Sequence, residues 1–285
     1  MRARAPASSA NLGPGFDTLA VALGLHVEVE IEPAGSLRIE TRGEGSDLPV
    51  DAGHLAVQVA AGVLGHDRFF LRVSSDIPVG RGLGSSAALA VAAAAAAGAD
   101  RDAAFSVGVQ VDGHPENAAA SAYGGLVGAT VLADGPTCVP FPLDERLAFV
   151  VLVPDRPLST ASARAALPGE VSHRDAAFNL GRMALLLAGL ADIDRLRAEA
   201  CEDRLHQGQR AHLFPEAAGL IEGLVGAGAR GACWSGAGPT LLALCAAEAA
   251  EAVRSAGQSL MAAAGVAGRS LVVPPDPAGL VTFPG

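Results

Sequence analysis

Residues 76–88, Asp-Ile-Pro-Val-Gly-Arg-Gly-Leu-Gly-Ser-Ser-Ala-Ala, carry the clearest chemical signal in this chain. Glycines alternate at Gly80, Gly82 and Gly84, and Ser85 and Ser86 stand where an alanine-rich run begins. The stretch before them, Phe69 to Val73, is apolar and β-prone, so the pattern predicts strand, glycine loop, helix. Glycine permits positive φ and a close backbone approach to a ligand. A helix start adds free N–H groups and the positive end of the helix dipole. Together these describe an anion site, with phosphate the fitting anion. A plain helix start after a tight turn fits the same letters, and on the residues alone both readings stand. Neither GxxxxGKS/T nor GxGxxG is present. All 20 basic residues are arginine, so no lysine can cradle a phosphate or act as a tuned base.

Other stretches hold residues able to do chemistry. Asn11 and Asp17 flank Gly13-Pro14-Gly15, a forced turn that can aim both side chains at one point. Ordinary Asx turn chemistry is the alternative. Asp112, His114, Glu116 and Asn117 follow a helix predicted over 102–110. A histidine there can face a ligand, cap a helix or bond a carbonyl. Thr160 and Arg164 are four apart and share a face on a helical turn. An arginine fork grips a carboxylate in bidentate fashion, although a surface pair without ligand has the same spacing. In Gly231–Thr240 a strand reaches a glycine turn, and backbone N–H groups there can converge on an oxyanion or on the first loop.

Elements must position these groups. Residues 26–43 alternate as a strand with one wet face, and Leu37 to Thr41 is expected as its hairpin partner. Helices are predicted over 53–64, with His54 at the start, from Asp175 as N-cap to Leu190, and over 247–264. Strands are predicted over 125–132, 147–153 and 270–273, with a Gly/Pro-rich connector at 134–143. A composition change near 145 divides the chain into 1–145 and 146–285, and 285 residues suffice for two modest domains around a joint site. The core must rely on small side chains, because half the residues are apolar and only 4% are aromatic.

A net charge of −10, with no basic cluster, excludes a nucleic-acid partner. No apolar run is long enough to span a membrane. Cys138, Cys201, Cys233 and Cys245 show no CxxC spacing and read as reduced thiols of a cytoplasmic protein, not as a zinc site.

The run Pro78-Val79-Gly80-Arg81-Gly82-Leu83-Gly84-Ser85-Ser86-Ala87-Ala88 resembles the phosphate-binding motif of the GHMP kinases. The other stretches resemble the homoserine kinase branch. The segment 3–23 is similar to its N-terminal signature PATSANLGPGFD, and 112–125 to EGHPDN followed by a double glycine. Residues 160–168 follow its T-x-x-x-R-x-x-LP, and 202–211 its EDxLHQPYRA. Residues 231–240 are close to GxxxSGSGPS. The resemblance implies a two-domain α+β fold, with an N-terminal S5-like domain and a C-terminal ferredoxin-like domain. It also implies ATP-dependent phosphorylation of L-homoserine, a step of threonine biosynthesis, with Mg²⁺ and a homodimer. By that resemblance the run 78–88 binds ATP, and Ser86 and Asp112 hold the metal, with Glu116 as fallback. Asn11, Asp17, Thr160, Arg164, Arg210 and Gly236 would bind substrate, and His114 and Asn117 would face its hydroxyl. A dedicated general base is not expected. Departures are Asp112 for Glu, Glu116 for Asp, Gly208-Gln209 for Pro-Tyr, and His54 where an Asn often meets adenine. A sister kinase for another small alcohol, or a silent ligand sensor, is the alternative.

Overall fold

A computed structural model describes residues 1–283. The strands are β1 (Arg2–Ala10), β2 (Leu19–Pro33), β3 (Arg38–Gly43), β4 (Phe69–Ser75), β5 (Leu126–Leu132), β6 (Gly135–Phe141), β7 (Leu147–Pro154), β8 (Gly231–Trp234), β9 (Leu241–Ala246), β10 (Gly268–Val273) and β11 (Val281–Phe283). The helices are α1 (Leu55–Leu64), α2 (Ser85–Ala96), α3 (Arg101–Asp112), α4 (Pro115–Tyr123), α5 (Thr160–Ala165), α6 (His173–Ala191), α7 (Gln207–Arg210), α8 (Ala217–Gly226) and α9 (Ala250–Ala263).

Two sheets organise the chain. The first has seven strands, running β11-β1-β2-β4-β3, with β5 on the start of β2 and β6 on β5. The long β2 serves both arms: Leu19–Val21 pair with β5, and Val27–Pro33 pair with β4. The second sheet is β10-β7-β9-β8, antiparallel throughout. Numbered within its own unit, that order is 4-1-3-2, the ferredoxin-like arrangement.

Helix α2 fills the centre of the first layer. It packs on β1 and β2, and α1, α3 and α4 pack around it. Every residue from Ala90 to Ala95 is without solvent exposure. A helix surrounded on all sides cannot be amphipathic. The alanine run satisfies that condition, since small side chains let all five neighbours approach and lose no rotamer entropy on burial.

Three expectations are corrected. Strand β3 pairs in parallel with β4, not as a hairpin with β2, because β1 and β4 occupy both sides of that part of β2. The connector at 134–143 contains strand β6, an edge strand, where Pro136 and Pro140 can be tolerated. Helix α6 is capped by Ser172, whose hydroxyl accepts from the Asp175 N–H and donates to the Asp175 carboxylate. Asp175 is thus in the first turn, where it suits the dipole.

The expected division at 145/146 falls just before β7. The chain's end returns to the first sheet, where β11 pairs with β1. Asp276 ties this return. Its Oδ1 accepts from the N–H groups of Ala278 (2.8 Å) and Gly279 (2.9 Å), and its Oδ2 lies 2.7 Å from His26 Nε2. Burial alone would raise this carboxyl's pKa, but the bonds from His26, Gly279 and Ala278 outweigh it and hold it below its ordinary value. Asp276→Ala is expected to lower stability by about 1–3 kcal/mol in urea denaturation. A depressed carboxyl contributes fully above its unfolded pKa of about 4. The stability gap between wild type and Asp276→Asn should therefore shrink as pH falls from 5 to below 3.

Candidate active site

The phosphate-loop candidate lies between the two sheets, and backbone contacts from both sides hold it. The Ser8 N–H on β1 donates to the Leu83 carbonyl (3.1 Å). From the other side, Ser235 Oγ–H donates to the Gly82 carbonyl (2.6 Å) and the Thr240 N–H to the Arg81 carbonyl (3.2 Å). The 231–240 turn therefore seats the first loop, one of the two roles open to it from sequence. Trp234 packs behind Gly238. The Arg81 guanidinium is turned away to backbone: Nε donates to Pro154 O (2.9 Å), NH1 to Val79 O (3.0 Å), and NH2 to Asp155 O.

Gly80, Gly82 and Gly84 all have positive φ. Space, as well as φ, demands glycine at two of them. A Cβ on Gly82 would run into the Ser235 carbonyl, and one on Gly84 into Ser8 Oγ. Gly84 is also the N-cap of α2, and no side chain among the described residues caps that helix. Helices α1, α3, α5 and α6 are capped by His54, Asp100, Ser159 and Ser172. The uncapped N–H groups and dipole end of α2 face a cleft, as an anion site requires.

One cleft between the sheets collects nearly every candidate. Pro78, Gly80–Ser86, Asn11, Asp17, Asp112, His114, Glu116, Asn117, Thr160, Arg164, Arg210 and Gly236 all line it. Three do not. Val79 faces away from the cleft, and Ala87 and Ala88 are fully buried in the core. These two alanines begin the face of α2 that packs inward, so their side chains cannot reach a ligand.

Asn11 (φ 71°), Leu12 (φ 48°) and Asp17 (φ 51°) are the non-glycine residues with positive φ among the described residues. Such strain of order 1–3 kcal/mol persists only where surroundings impose it. Here Asn11 Oδ1 accepts from the Asp17 N–H (3.0 Å), and its Nδ2 donates to the Gly236 carbonyl (2.9 Å). The Asp17 carboxylate receives the Arg164 fork, with NH1 to Oδ2 at 2.6 Å and NH2 to Oδ1 at 3.0 Å. Arg164 NH2 also reaches His114 Nε2. An arginine can only donate, so in this contact the ring nitrogen is the acceptor. The bond to Asp17 raises the guanidinium's pKa, against burial.

The acidic side of the cleft is built on α3 and α4. Ser8 Oγ–H donates to Asn117 Oδ1 (2.8 Å), and Asn117 Nδ2 donates to Asp112 Oδ2 (3.3 Å). Both ends of the Asn117 amide are thus engaged, and it orients Asp112 toward the cleft. Burial raises the Asp112 pKa, against His114 and the Asn117 bond. Glu116 is 3% exposed, and its Oε2 has no hydrogen-bond partner. Burial, aided by the charges of Asp17 and Asp112, pushes its carboxyl up to about 7. A buried carboxylate oxygen without a partner is costly unless a cation or proton meets it. Among the described residues no group of three or more His, Cys, Asp or Glu forms a metal cage. Two hard carboxylates with the nearby Ser86 hydroxyl fit a Mg²⁺ ion that takes its remaining oxygens from phosphates and water.

The 202–211 segment closes the cleft from behind. Arg210, 2% exposed, donates from Nε to Ala163 O (3.1 Å) and from NH1 to Gly236 O (3.2 Å). Burial, then the charge of Arg164, lowers its pKa to about 10. Arg204 pairs with Asp175 (3.3 Å), and not with Glu202 or Asp203 as its neighbours suggest. Glu202 is held by Arg182, and Asp203 is buried among backbone N–H groups. Sequence reasoning also gave no role to Ser8 or Ser235. Their signal, a serine facing a glycine of a distant motif, exists only in the fold.

Known proteins are similar to this chain in sequence and fold. The model of the GHMP kinases N terminal domain matches residues 52–125, and that of the GHMP kinases C terminal matches 183–263. A homoserine kinase of Thermus thermophilus is 44% identical over 283 residues, covering 94% of each chain. One from Streptomyces coelicolor is 41% identical, covering 90% of this chain and 87% of that one. The crystal structure of homoserine kinase from Cytophaga hutchinsonii superposes with a TM-score of 0.85 at 25% identity, covering 99% and 97%. A mevalonate kinase of L. major shares the fold at a TM-score of 0.73 and 16% identity, covering 97% of this chain and 96% of that one.

Gly84→Ala is expected to cost about 2 kcal/mol or more, from the Ser8 collision and the φ of +65°. Adding Ser8→Gly should return only part of it, since the backbone strain remains. Denaturation of both variants checks this, and wild-type stability of Gly84→Ala would refute it.

Proposed function

The chain belongs to the GHMP kinase family, and we propose that it transfers the γ-phosphoryl group of ATP to the side-chain hydroxyl of L-homoserine, giving ADP and O-phospho-L-homoserine. One observation carries the reading most. A single cleft holds an uncapped helix N-terminus fit for phosphates beside a carboxylate–guanidinium pair, Asp17 and Arg164. An amino-acid zwitterion presents the complementary ammonium and carboxylate. The relatives named homoserine kinase, matched over most of their length, support that substrate.

In this mechanism the loop amides of 80–86 and the start of α2 hold the phosphates. Arg81 fastens the loop to the β7 end, which keeps those amides in place. Asp17 takes the substrate ammonium, Arg164 and Arg210 its carboxylate, and Asn11, Thr160 and Gly236 border the same pocket. His114, held against Arg164, polarises the hydroxyl. Ser86, Asp112 and Glu116 would hold Mg²⁺, which when bound neutralises phosphate charge. Asn117 acts through Asp112. Phosphoryl transfer needs in-line positioning and charge neutralisation more than a strong base. Asp17, already gripped by Arg164, serves as a clamp and not as that base. A small mixed pocket bounded by Arg42, Glu44, Leu48, His54 and Val79 adjoins the loop. No described helix is long and apolar enough to cross a membrane, and all four cysteines are free.

A coupled ADP-release assay with Mg-ATP, comparing L-homoserine, L-serine, L-threonine and mevalonate, tests the reading. Selective turnover of L-homoserine is expected. Turnover of another alcohol would overturn the substrate, and nucleotide binding without turnover would make the protein a sensor. Arg164→Ala should raise KM for homoserine at least about tenfold, as loss of charged hydrogen bonds worth about 1.5–3 kcal/mol implies. Asp112→Asn should instead lower kcat and shift the Mg²⁺ titration. An unchanged titration would take Asp112 out of the metal site and leave Ser86 and Glu116 to hold it.

A further inference from the structure

His206 is fully buried behind the cleft and lies outside the groups assigned above. Its ring nitrogens meet the two halves of the proposed amino-acid site. Nε2 is 2.8 Å from the Gly13 carbonyl, in the turn that bears Asn11 and Asp17. Nδ1 is 3.1 Å from Arg210 NH1. The Phe16 ring stacks on the imidazole with centroids 5.2 Å apart, and the guanidinium carbons of Arg164 and Arg210 lie 5.2 and 5.6 Å from the Phe16 centroid.

The two partners demand the same tautomer. A carbonyl can only accept, so Nε2 must carry the proton toward Gly13. A guanidinium can only donate, so Nδ1 must be bare toward Arg210. The Asp203 carboxylate is a poor rival for the Nε2 proton. It is 3.6 Å away, and its oxygens already accept from Leu205, His206 and Gln207 N–H and from Asn179 Nδ2. Burial holds the imidazole below its ordinary pKa, in keeping with a neutral ring against an arginine. Arg210 NH1 in turn shares the Gly236 carbonyl with Asn11 Nδ2. A closed path therefore runs from the Gly13 turn through His206, Arg210 and Gly236 back to Asn11.

We propose that His206 is a positioning residue for substrate binding, its Nε2–H pinning the Asn11–Asp17 turn at Gly13 while its bare Nδ1 orients the Arg210 guanidinium. It touches no reacting atom. The inference rests on the reading of Arg210 as an anchor for the amino-acid carboxylate.

Glutamine at 206 can place its amide N–H near Gly13, but its acceptor oxygen is displaced from the Nδ1 position that faces Arg210. His206→Gln is therefore expected to raise KM for L-homoserine about tenfold or more, with KM for ATP within about twofold and kcat within about threefold. In an Arg210→Lys background the same change should add less than about twofold, because the two residues act in series. Equal effects on both KM values, or multiplicative effects in the double variant, would overturn the proposal. The tautomer is read on wild-type protein by long-range ¹⁵N–¹H NMR, with the ring assigned through its contacts to Phe16, so the test survives a variant that does not fold. A neutral Nε2–H ring at pH 7 is expected, and an Nδ1–H ring or an imidazolium would overturn it. If the protein turned over a different alcohol, the substrate reading would fail while the tautomer and the His206–Arg210 coupling could still be measured.

Discussion

The close backbone approach at Gly82 and Gly84 is the constraint on which the rest depends. The loop that contains them is the seam between the sheets, with β1 on one side and the 231–240 turn on the other. Neither face leaves space for a side chain at these positions. The packing places the N-terminus of α2 at the cleft, and the absence of a side-chain cap among the described residues leaves its N–H groups for an anion. A glycine loop here is the joint of the fold and, in the proposed function, the binding surface as well.

Magnitudes separate the groups that build the site from those that serve it. The Asp17–Arg164 pair is bidentate, but both side chains are about one-third exposed. A pair so placed contributes at most about 1 kcal/mol to stability. It is a weak brace for the fold and a good exchange site for a ligand with both charges, which can take one partner on each side. Arg210 and His206 are the reverse case. They are buried and bonded to backbone carbonyls, so displacing either would leave buried polar groups without partners, at about 1–3 kcal/mol each. The proposed site thus combines an exchangeable pair at the front with a fixed frame at the back.

Glu116 belongs to neither set. Its burial and partnerless oxygen are unfavourable for the empty cleft. Such local costs are retained where function uses them, and a shared cation with the phosphates would meet the oxygen.

Sequence alone determined the glycine loop, the helix that follows it, the Gly13-Pro14-Gly15 turn and the shared face of Thr160 and Arg164. These are short-range features, set by φ preference, residue size and helical spacing, and they read directly from the letters. It also supplied the order of motifs that places the chain among the GHMP kinases. The tertiary structure decided what lay far apart in the chain. Arg164 reaches Asp17 across 147 residues, and His206 reaches Gly13 across 193. Strand β3 goes to β4, β6 forms an edge despite two prolines, and β11 returns to β1. Asn117 turns to Ser8 and Asp112, not freely to the cleft. No local pattern encodes such pairings, because each depends on which sheet edges and cleft walls remain open once the two sheets have packed.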